Sequence, residues 1–129
     1  MNILVYDNSV FVRTMIRQNL SRLSETLNVV LTASMPSVME TLNGNIFDLV
    51  IIDMDNLNSS FNQFIKIAKG TNPDIIIILL SSFPNEKIFQ VFKSKGVDYC
   101  LDKTTEFEYL LNKIDSMLSN EYQIKKVVE

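Results

Sequence analysis

The segment Phe47-Asp48-Leu49-Val50-Ile51-Ile52-Asp53 decides the fold of this 129-residue chain. Leu49–Ile52 are consecutive apolar residues, and they predict a strand with both faces covered, because a half-exposed strand would alternate apolar and polar side chains. Buried strands of this kind are typical of parallel sheets with helices on both sides. The strand ends at the carboxylate of Asp53, which is followed by Met54 and Asp55.

Further apolar runs have the same unbroken pattern and predict four more strands: Ile3–Tyr6, Val29–Thr32, Ile75–Leu80 and Val97–Leu101. Amphipathic segments between the runs predict five helices, which begin at the N-cap Ser9 and near Thr105 or lie within Ser34–Leu42, Ser60–Lys69 and Asn85–Lys95. Strands that alternate with helices across short connections imply right-handed crossovers. The sequence therefore predicts an α/β fold, a doubly wound five-stranded parallel sheet with five helices.

Two glycines and one apolar stripe refine the helix predictions. Gly70 is expected to end the third helix, and Gly96 stands where a left-handed cap would end the fourth. The fourth helix carries Ile88, Val91 and Phe92 at a helical spacing, which predicts its buried face. These positions predict where two helices stop and which side of the fourth meets the sheet.

Composition and charge limit the class of protein. A chain with 47% hydrophobic and 21% charged residues fits one folded domain. The net charge is −3 and the 12 basic residues are scattered, so a direct nucleic-acid partner is not expected. The longest apolar run is too short to span a bilayer, so no membrane partner is expected either. The lone Cys100 and an N-terminus without a leader pattern favour the cytoplasm.

Polar side chains follow four of the predicted strands, at the edge where open α/β sheets bind ligands. They are Asp7-Asn8, Asp53-Met54-Asp55, Ser81-Ser82 and Asp102-Lys103. Two carboxylates held together repel each other unless a cation lies between them, and Mg²⁺ prefers such oxygen ligands. With Asp53 as the attacking carboxylate, Lys103 as a neutralising ammonium and Ser81 as a hydrogen-bond donor, the pattern predicts a phosphoryl-acceptor site.

Each of these residues also has an ordinary structural interpretation. Asp7 alone is more often the N-cap of the next helix, Ser81 alone a turn residue, and Lys103 alone a solvated surface lysine. Only their occurrence in order, on successive strand ends, favours chemistry over these alternatives.

Several segments resemble the receiver domains of the response-regulator family. Residues 3–9, with Arg13 downstream, resemble the family's opening strand, its acidic position and the Ser that follows. Residues 47–53 resemble the phosphoacceptor strand almost residue for residue. Leu79–Ser82 resembles the strand that ends in a hydroxyl, and Gly96–Lys103 has the spacing of the family's last strand.

The resemblance covers residues 1–119 and implies a flavodoxin-like receiver fold, with residues 120–129 as an extension of the last helix or the start of a linker. It implies a domain that is not an enzyme and that a histidine kinase or a phosphotransfer protein phosphorylates. The modified domain would bind a downstream protein target or output domain through helix four, strand five and helix five, and a homodimer through this face stays open. Carried over by position, the site residues are the phosphoacceptor Asp53, the phosphoryl-binding Ser81 and Lys103, the Mg²⁺ ligands Asp7, Asn8, Asp53 and the main-chain carbonyl of Asp55, and the switch residues Ser81 and Cys100.

Two departures from the family pattern support a second hypothesis. Asn8 stands where the family has another metal-binding carboxylate, which is expected to weaken Mg²⁺ binding by at least about 10–100-fold. Cys100 stands where the family has the aromatic residue that moves with the hydroxyl. The adjacent Tyr99 is no simple substitute, because neighbouring strand residues face opposite sides. Both changes fit a degenerate receiver that acts as a phosphorylation-independent protein-interaction module.

Two further classes share single features with the chain. Asp53-Met54-Asp55 matches the Asp-x-Asp signature of the haloacid-dehalogenase phosphatases, but in that class the signature ends the first strand. A flavodoxin-like FMN carrier shares the fold class, but the Ser/Thr/Gly-rich phosphate loop expected after strand one is missing. The sequence disfavours both alternatives.

Overall fold

The structure is a computed structural model that describes residues 1–57 and 59–128, except for the side chains of Asn56 and residues 121–128. Five strands alternate with five α-helices, as the sequence predicts. The strands are β1 (Asn2–Tyr6), β2 (Asn28–Thr32), β3 (Leu49–Asp53), β4 (Ile76–Ser81) and β5 (Tyr99–Asp102). The helices are α1 (Val10–Leu23), α2 (Met35–Leu42), α3 (Phe61–Thr71), α4 (Glu86–Ser94) and α5 (Phe107–Val128), and a short 3-10 turn spans Met54–Asn56.

The sheet is parallel throughout, with the strand order β2-β1-β3-β4-β5. The chain first winds outward from β1 to β2 and then returns to build β3, β4 and β5 on the other side. The order reverses between β1 and β3, and ligands bind at such a switch point in open α/β sheets. The predicted doubly wound parallel sheet is confirmed.

Apolar side chains cover both faces of the sheet. One buried cluster joins the sheet to α2, α3 and α4 through residues such as Val38, Phe64 and Phe89. A second cluster joins the other face to α1 and α5 through Leu20 and Ile114. β3 lies between the other strands and every one of its residues is buried, which explains why its sequence is apolar without alternation.

Side-chain caps begin three of the helices. Ser9 Oγ accepts a hydrogen bond from Val12 N at 3.3 Å, which confirms the predicted N-cap of α1. Ser34 and Asn85 cap α2 and α4 in the same way. These short polar side chains satisfy backbone N–H groups that have no partner within the helix.

The two glycines expected to end helices behave differently. Gly70 lies inside α3, which continues to Thr71, so that prediction is wrong. The helix tolerates the glycine because the backbone hydrogen bonds continue past it, with Asn72 N donating to the carbonyl of Ala68 at 3.1 Å. Gly96 follows α4 with a φ of +111°, which confirms the predicted left-handed cap.

The buried face of α4 differs from the predicted one. Ile88 and Val91 are 44% and 52% exposed, whereas Phe89 is only 6% exposed. Phe92 packs edge-on against Phe61 of α3, with 4.8 Å between the ring centroids. The helix therefore turns its two phenylalanines toward the core, because they bury more apolar surface than the two aliphatic residues.

The last helix, α5, continues without a break to Val128, so the backbone of residues 120–128 is helical. The domain boundary at residue 119 stays a prediction, and Glu129 lies outside the described residues. Among the helices that the structure describes, none is long and apolar enough to cross a membrane.

Candidate functional site

Four polar side chains lie at the carboxyl edge of the sheet. Asp7 directly follows β1, and Asp53 is the last residue of β3. Ser81 is the last residue of β4, and Lys103 directly follows β5. Asp7, Asp53 and Ser81 are buried, and the Lys103 side chain is only 14% exposed. The structure therefore brings together four of the residues to which the sequence assigns a role.

The Lys103 ammonium lies among three carboxylates. Its Nζ is 2.8 Å from Asp7 Oδ2, 3.1 Å from Asp53 Oδ1 and 3.8 Å from Asp55 Oδ2. Burial acts to lower the pKa of Lys103, but hydrogen bonds to Asp7 and Asp53 and their negative charges raise that pKa above its usual value. Lys103 is therefore protonated at neutral pH and is not a solvated surface lysine.

Asp7 is fixed by the start of α1. Its Oδ1 accepts a hydrogen bond from Ser9 N at 2.9 Å, and its main-chain carbonyl accepts one from Arg13 Nη1 at 2.7 Å. The N-cap of α1 is Ser9. Asp7 is therefore not the N-cap of this helix, which was the ordinary structural interpretation of its position. One carboxylate oxygen is thus held by the backbone, and the other binds Lys103.

Asp53 is fixed by the 3-10 turn that follows it. Its Oδ1 accepts a hydrogen bond from Asp55 N at 3.0 Å. Burial and the negative charges of Asp53 and Asp7 raise the pKa of Tyr6, which places that phenol in the field of the pocket. The sequence assigns no role to Tyr6. Tyr6 is the last residue of β1 and directly precedes Asp7. This position in the sequence could have predicted that Tyr6 lies near the pocket.

The Asp55 side chain contacts the strand that ends in Ser81, a contact that sequence spacing alone does not predict. Asp55 Oδ1 accepts a hydrogen bond from Ser81 Oγ at 3.1 Å. Ser82 N donates to both carboxylate oxygens, at 3.3 Å to Oδ1 and 3.0 Å to Oδ2. Burial opposes ionisation, but these hydrogen bonds and the charge of Lys103 lower the pKa of Asp55. The assignment of its main-chain carbonyl to Mg²⁺ stays a prediction.

Ser81 combines a turn role with a place in the pocket. Its Oγ accepts a hydrogen bond from Phe83 N at 3.0 Å, which is the behaviour of a turn serine. The same hydroxyl donates to Asp55, and the main-chain carbonyl of Ser81 accepts a hydrogen bond from Lys103 N at 2.8 Å. Ser81 therefore joins the end of β4 to both charged neighbours.

Two acidic residues fix the backbone that carries Lys103. Asp102 Oδ1 accepts hydrogen bonds from Thr104 N at 2.8 Å and Thr105 N at 3.2 Å, and these bonds lower the pKa of Asp102. Glu106 Oε1 accepts a hydrogen bond from Asp102 N at 3.0 Å. The sequence places Asp102 at a polar strand end but assigns no role to it or to Glu106. Their contacts hold the connection between β5 and α5 in place.

Two residues with assigned roles stand apart from these contacts. Asn8 is exposed beside Asp7. Cys100 is buried in the cluster beneath α4, with 3.9 Å between its Sγ and the carbonyl oxygen of Phe89. Tyr99 packs in the opposite cluster, as strand alternation predicts. The metal role of Asn8 and the switch role of Cys100 stay predictions.

The donor chemistry of the pocket suits Mg²⁺. The carboxylates of Asp7 and Asp53, with the Asn8 amide beside them, are hard oxygen ligands. Within the part of the chain that the structure describes, no three acidic, histidine or cysteine side chains form a group that could hold a metal ion. Lys103 contacts both carboxylates and supplies the positive charge. A bound ion and Lys103 would therefore share the same two carboxylates.

The fold and the pocket together define a class: doubly wound α/β domains with buried aspartates and one lysine at the carboxyl edge of the sheet. The family model of the response regulator receiver domain matches residues 3–115. The chain therefore belongs to the response regulator receiver domain family. No curated protein matches its sequence significantly.

Solved receiver structures share this fold at low sequence identity. The signal receiver domain of a DNA-binding response regulator from Colwellia psychrerythraea 34H is 17% identical, with a TM-score of 0.81 over 92% of this chain and 98% of that chain. The chemotaxis protein CheY4 of Vibrio cholerae is 21% identical, with a TM-score of 0.74 over 89% and 96%. A response regulator protein from Burkholderia pseudomallei, solved with a phosphorylated aspartic acid, a calcium ion and citrate, is 19% identical, with a TM-score of 0.73 over 96% and 74%. These likenesses support the fold.

Proposed function

We propose that this receiver domain accepts a phosphoryl group on Asp53 from a histidine kinase or a phosphotransfer protein, and that its binding to a protein target changes as a result. The observation that carries the proposal is the position of Asp53. It is a buried carboxylate at the end of the central strand β3, 3.1 Å from the Lys103 ammonium. A carboxylate beside a fixed cation is what a phosphoryl acceptor needs, because the transferred group brings negative charge.

In the proposed reaction, a carboxylate oxygen of Asp53 attacks the phosphorus of a phosphohistidine. The new O–P bond forms as the N–P bond breaks, and the leaving imidazole keeps the electron pair and takes up a proton. Lys103 would neutralise the transferred group and Ser81 would donate a hydrogen bond to it. Mg²⁺, held by Asp7, Asn8 and Asp53, would supply further positive charge to the phosphoryl oxygens. In this reaction the domain accepts the phosphoryl group, which stays on Asp53. We therefore propose that the domain is a phosphoacceptor and not an enzyme.

The proposed output face comprises α4, β5 and α5. On α4, Ile88 and Val91 are exposed apolar residues, and they would contact a downstream protein target, an output domain or a second copy of the domain. Phosphorylation would bias this face between two states through the local change in charge. The function is proposed for the cytoplasm, where a free thiol such as Cys100 stays reduced.

The proposal is tested by the intact mass of the protein after incubation with Mg²⁺ and phosphoramidate. Asp53→Asn removes the acceptor, and Asp74→Asn is the charge-matched control, because Asp74 is exposed before β4 at the opposite edge of the sheet. We expect one phosphoryl adduct on the wild type and on Asp74→Asn, and none on Asp53→Asn. A wild type without an adduct, or an adduct on Asp53→Asn, would contradict the proposal.

One observation favours a second function, a phosphorylation-independent protein-interaction module. Lys103 already neutralises Asp7 and Asp53, and Asn8 adds no carboxylate to the pocket. A Mg²⁺ titration separates the two functions. Saturable binding that depends on Asp53 favours the phosphoacceptor, whereas no binding, together with an unchanged partner affinity in Asp53→Asn, favours the module.

A further inference from the structure

The Asp55 carboxylate occupies the donors that a phosphoryl group on Asp53 would use. It accepts a hydrogen bond from Ser81 Oγ at 3.1 Å and another from Ser82 N at 3.0 Å. It also lies 3.8 Å from the Lys103 ammonium. Under the proposed function, on which this inference rests, Ser81 and Lys103 are the residues that bind the transferred group.

The Ser81 hydroxyl can serve only one of these two acceptors at a time. A serine hydroxyl has a single proton and cannot donate full hydrogen bonds to two groups. Phe83 N donates to Ser81 Oγ at 3.0 Å, so the oxygen is already an acceptor on that side and its proton serves Asp55. A phosphoryl group therefore gains the Ser81 proton only when Asp55 releases it.

Asp53 and Asp55 are also coupled through the turn that joins them. Asp55 N donates to Asp53 Oδ1 at 3.0 Å, and Lys103 Nζ lies within 4 Å of both carboxylates, at 3.1 Å and 3.8 Å. A phosphoryl group on Asp53 would add negative charge close to the Asp55 carboxylate. Two negative groups that lie beside the same ammonium repel each other, and the repulsion grows when one of them gains charge.

We infer that the Asp55 carboxylate is an internal competitor of the phosphoryl group, which holds Ser81 and Ser82 in the arrangement of the unmodified protein and is displaced when Asp53 is phosphorylated. Asp55 is thus a positioning residue: it holds Ser81 and Ser82 through hydrogen bonds, and this lowers the affinity of the pocket for a phosphoryl group. Ser82 lies in the connection between β4 and α4, so its release alters the segment that leads into α4. The competition therefore links the pocket to the proposed output face.

Binding of beryllofluoride, a phosphoryl mimic, to the full chain tests this inference. Asp55→Ala removes the carboxylate, Asp55→Asn keeps its shape without the charge, and Asp74→Asn controls for net charge. Each protein is titrated at a Mg²⁺ concentration that saturates it, as established by a separate Mg²⁺ titration. We expect about tenfold tighter binding in Asp55→Ala, a smaller gain in Asp55→Asn and no change in Asp74→Asn, because a charged hydrogen bond contributes about this much.

Hydrogen exchange of the Ser82 amide, without Mg²⁺ or beryllofluoride, is the second measurement. Loss of the bond to Asp55 should speed exchange about tenfold in Asp55→Ala and leave Asp74→Asn unchanged. Equal or weaker beryllofluoride binding in Asp55→Ala, or an unchanged Ser82 amide, would overturn the inference and leave the proposed function standing. A lack of beryllofluoride binding in every protein, wild type included, would contradict the proposed function and this inference with it.

Discussion

Lys103 and Asp7 lie 96 residues apart in the sequence and form an ion pair with 2.8 Å between Nζ and Oδ2. Lys103 also contacts Asp53 Oδ1 at 3.1 Å, so one ammonium neutralises two carboxylates that belong to different strand ends. A buried charge is costly unless it is paired. The pocket therefore depends on Lys103 for its stability as well as for the proposed chemistry.

Replacement of Lys103 by Met should destabilise the protein. Met keeps most of the aliphatic length of the side chain but leaves Asp7 and Asp53 facing each other without a counter-charge. We expect the free energy of unfolding to fall by about 3 kcal/mol, the low end for removal of one partner of a buried ion pair. Urea unfolding followed by circular dichroism measures the loss. Lys66→Met, at an exposed position of α3, is the matched control and should change stability by less than about 0.5 kcal/mol.

The cost of Lys103→Met should depend on Asp7. In an Asp7→Asn background, one of the two carboxylates that Lys103 neutralises is already gone, so the loss of the ammonium should destabilise the protein less. A double-mutant cycle by urea unfolding gives this coupling energy, which we expect to be about 1–2 kcal/mol. Equal losses in the two backgrounds would show that the ion pair does not contribute to stability.

Alanine at Gly96 and at Gly70 should change stability in opposite directions. Gly96 has a φ of +111°, and the nearest atoms would lie 3.7 Å and 3.8 Å from an added Cβ, so the strain comes from the backbone and not from crowding. We expect Gly96→Ala to lose about 1–2 kcal/mol. Gly70 lies in α3 with nothing within 4 Å of an added Cβ, so Gly70→Ala should gain about 0.4–1 kcal/mol. Thermal or urea unfolding checks both, and a Gly96→Ala variant as stable as wild type would count against the left-handed cap.

The Cys100 thiol should resist alkylation in the folded protein. Burial raises the pKa of Cys100 from 9.0 to about 11. Because the thiolate is the reactive form, labelling with iodoacetamide at pH 8 should be about 100-fold slower in the folded protein than in the urea-unfolded chain. Mass spectrometry measures both rates. Equal rates would contradict the burial of this side chain.

The same shift gives a stability effect with a defined sign. The unfolded thiol ionises near its ordinary pKa of 9.0, whereas the folded thiol keeps its proton until about pH 11. The folded state then binds more protons than the unfolded state, so stability falls as the pH rises from 9 to 11. The Cys100→Ala variant should show a shallower decline over this window in urea unfolding, and an identical decline would refute the effect.

Much of the fold could be predicted because it rests on local patterns. The unbroken apolar run Leu49–Ile52 predicts a strand buried on both faces, and Ser9 predicts a helix start that needs only a neighbouring N–H group. The meeting of Asp7, Asp53 and Lys103 follows from topology, since parallel strands end at one edge of the sheet. These features require no knowledge of how individual side chains pack.

The remaining features depend on packing between distant segments. Asp55 and Ser81 are 26 residues apart, and their hydrogen bond depends on the turn after β3, which periodicity does not describe. In α4, apolar residues occur on two sides of the helix, so spacing alone does not identify the buried side. Contact between Phe92 and Phe61 of α3 decides it. The chemical roles of the pocket residues stay predictions, because neither spacing nor geometry measures reactivity.

Whether Asp53 itself carries a phosphoryl group is decided by borohydride trapping. Sodium borohydride reduces an aspartyl phosphate to homoserine, and peptide mass spectrometry locates the altered residue. After treatment with Mg²⁺ and phosphoramidate, we predict homoserine at position 53 and unchanged aspartate at positions 7 and 55. Homoserine at either of those positions, or aspartate unchanged at all three in a protein that binds Mg²⁺, would contradict the assignment of Asp53 as the phosphoacceptor.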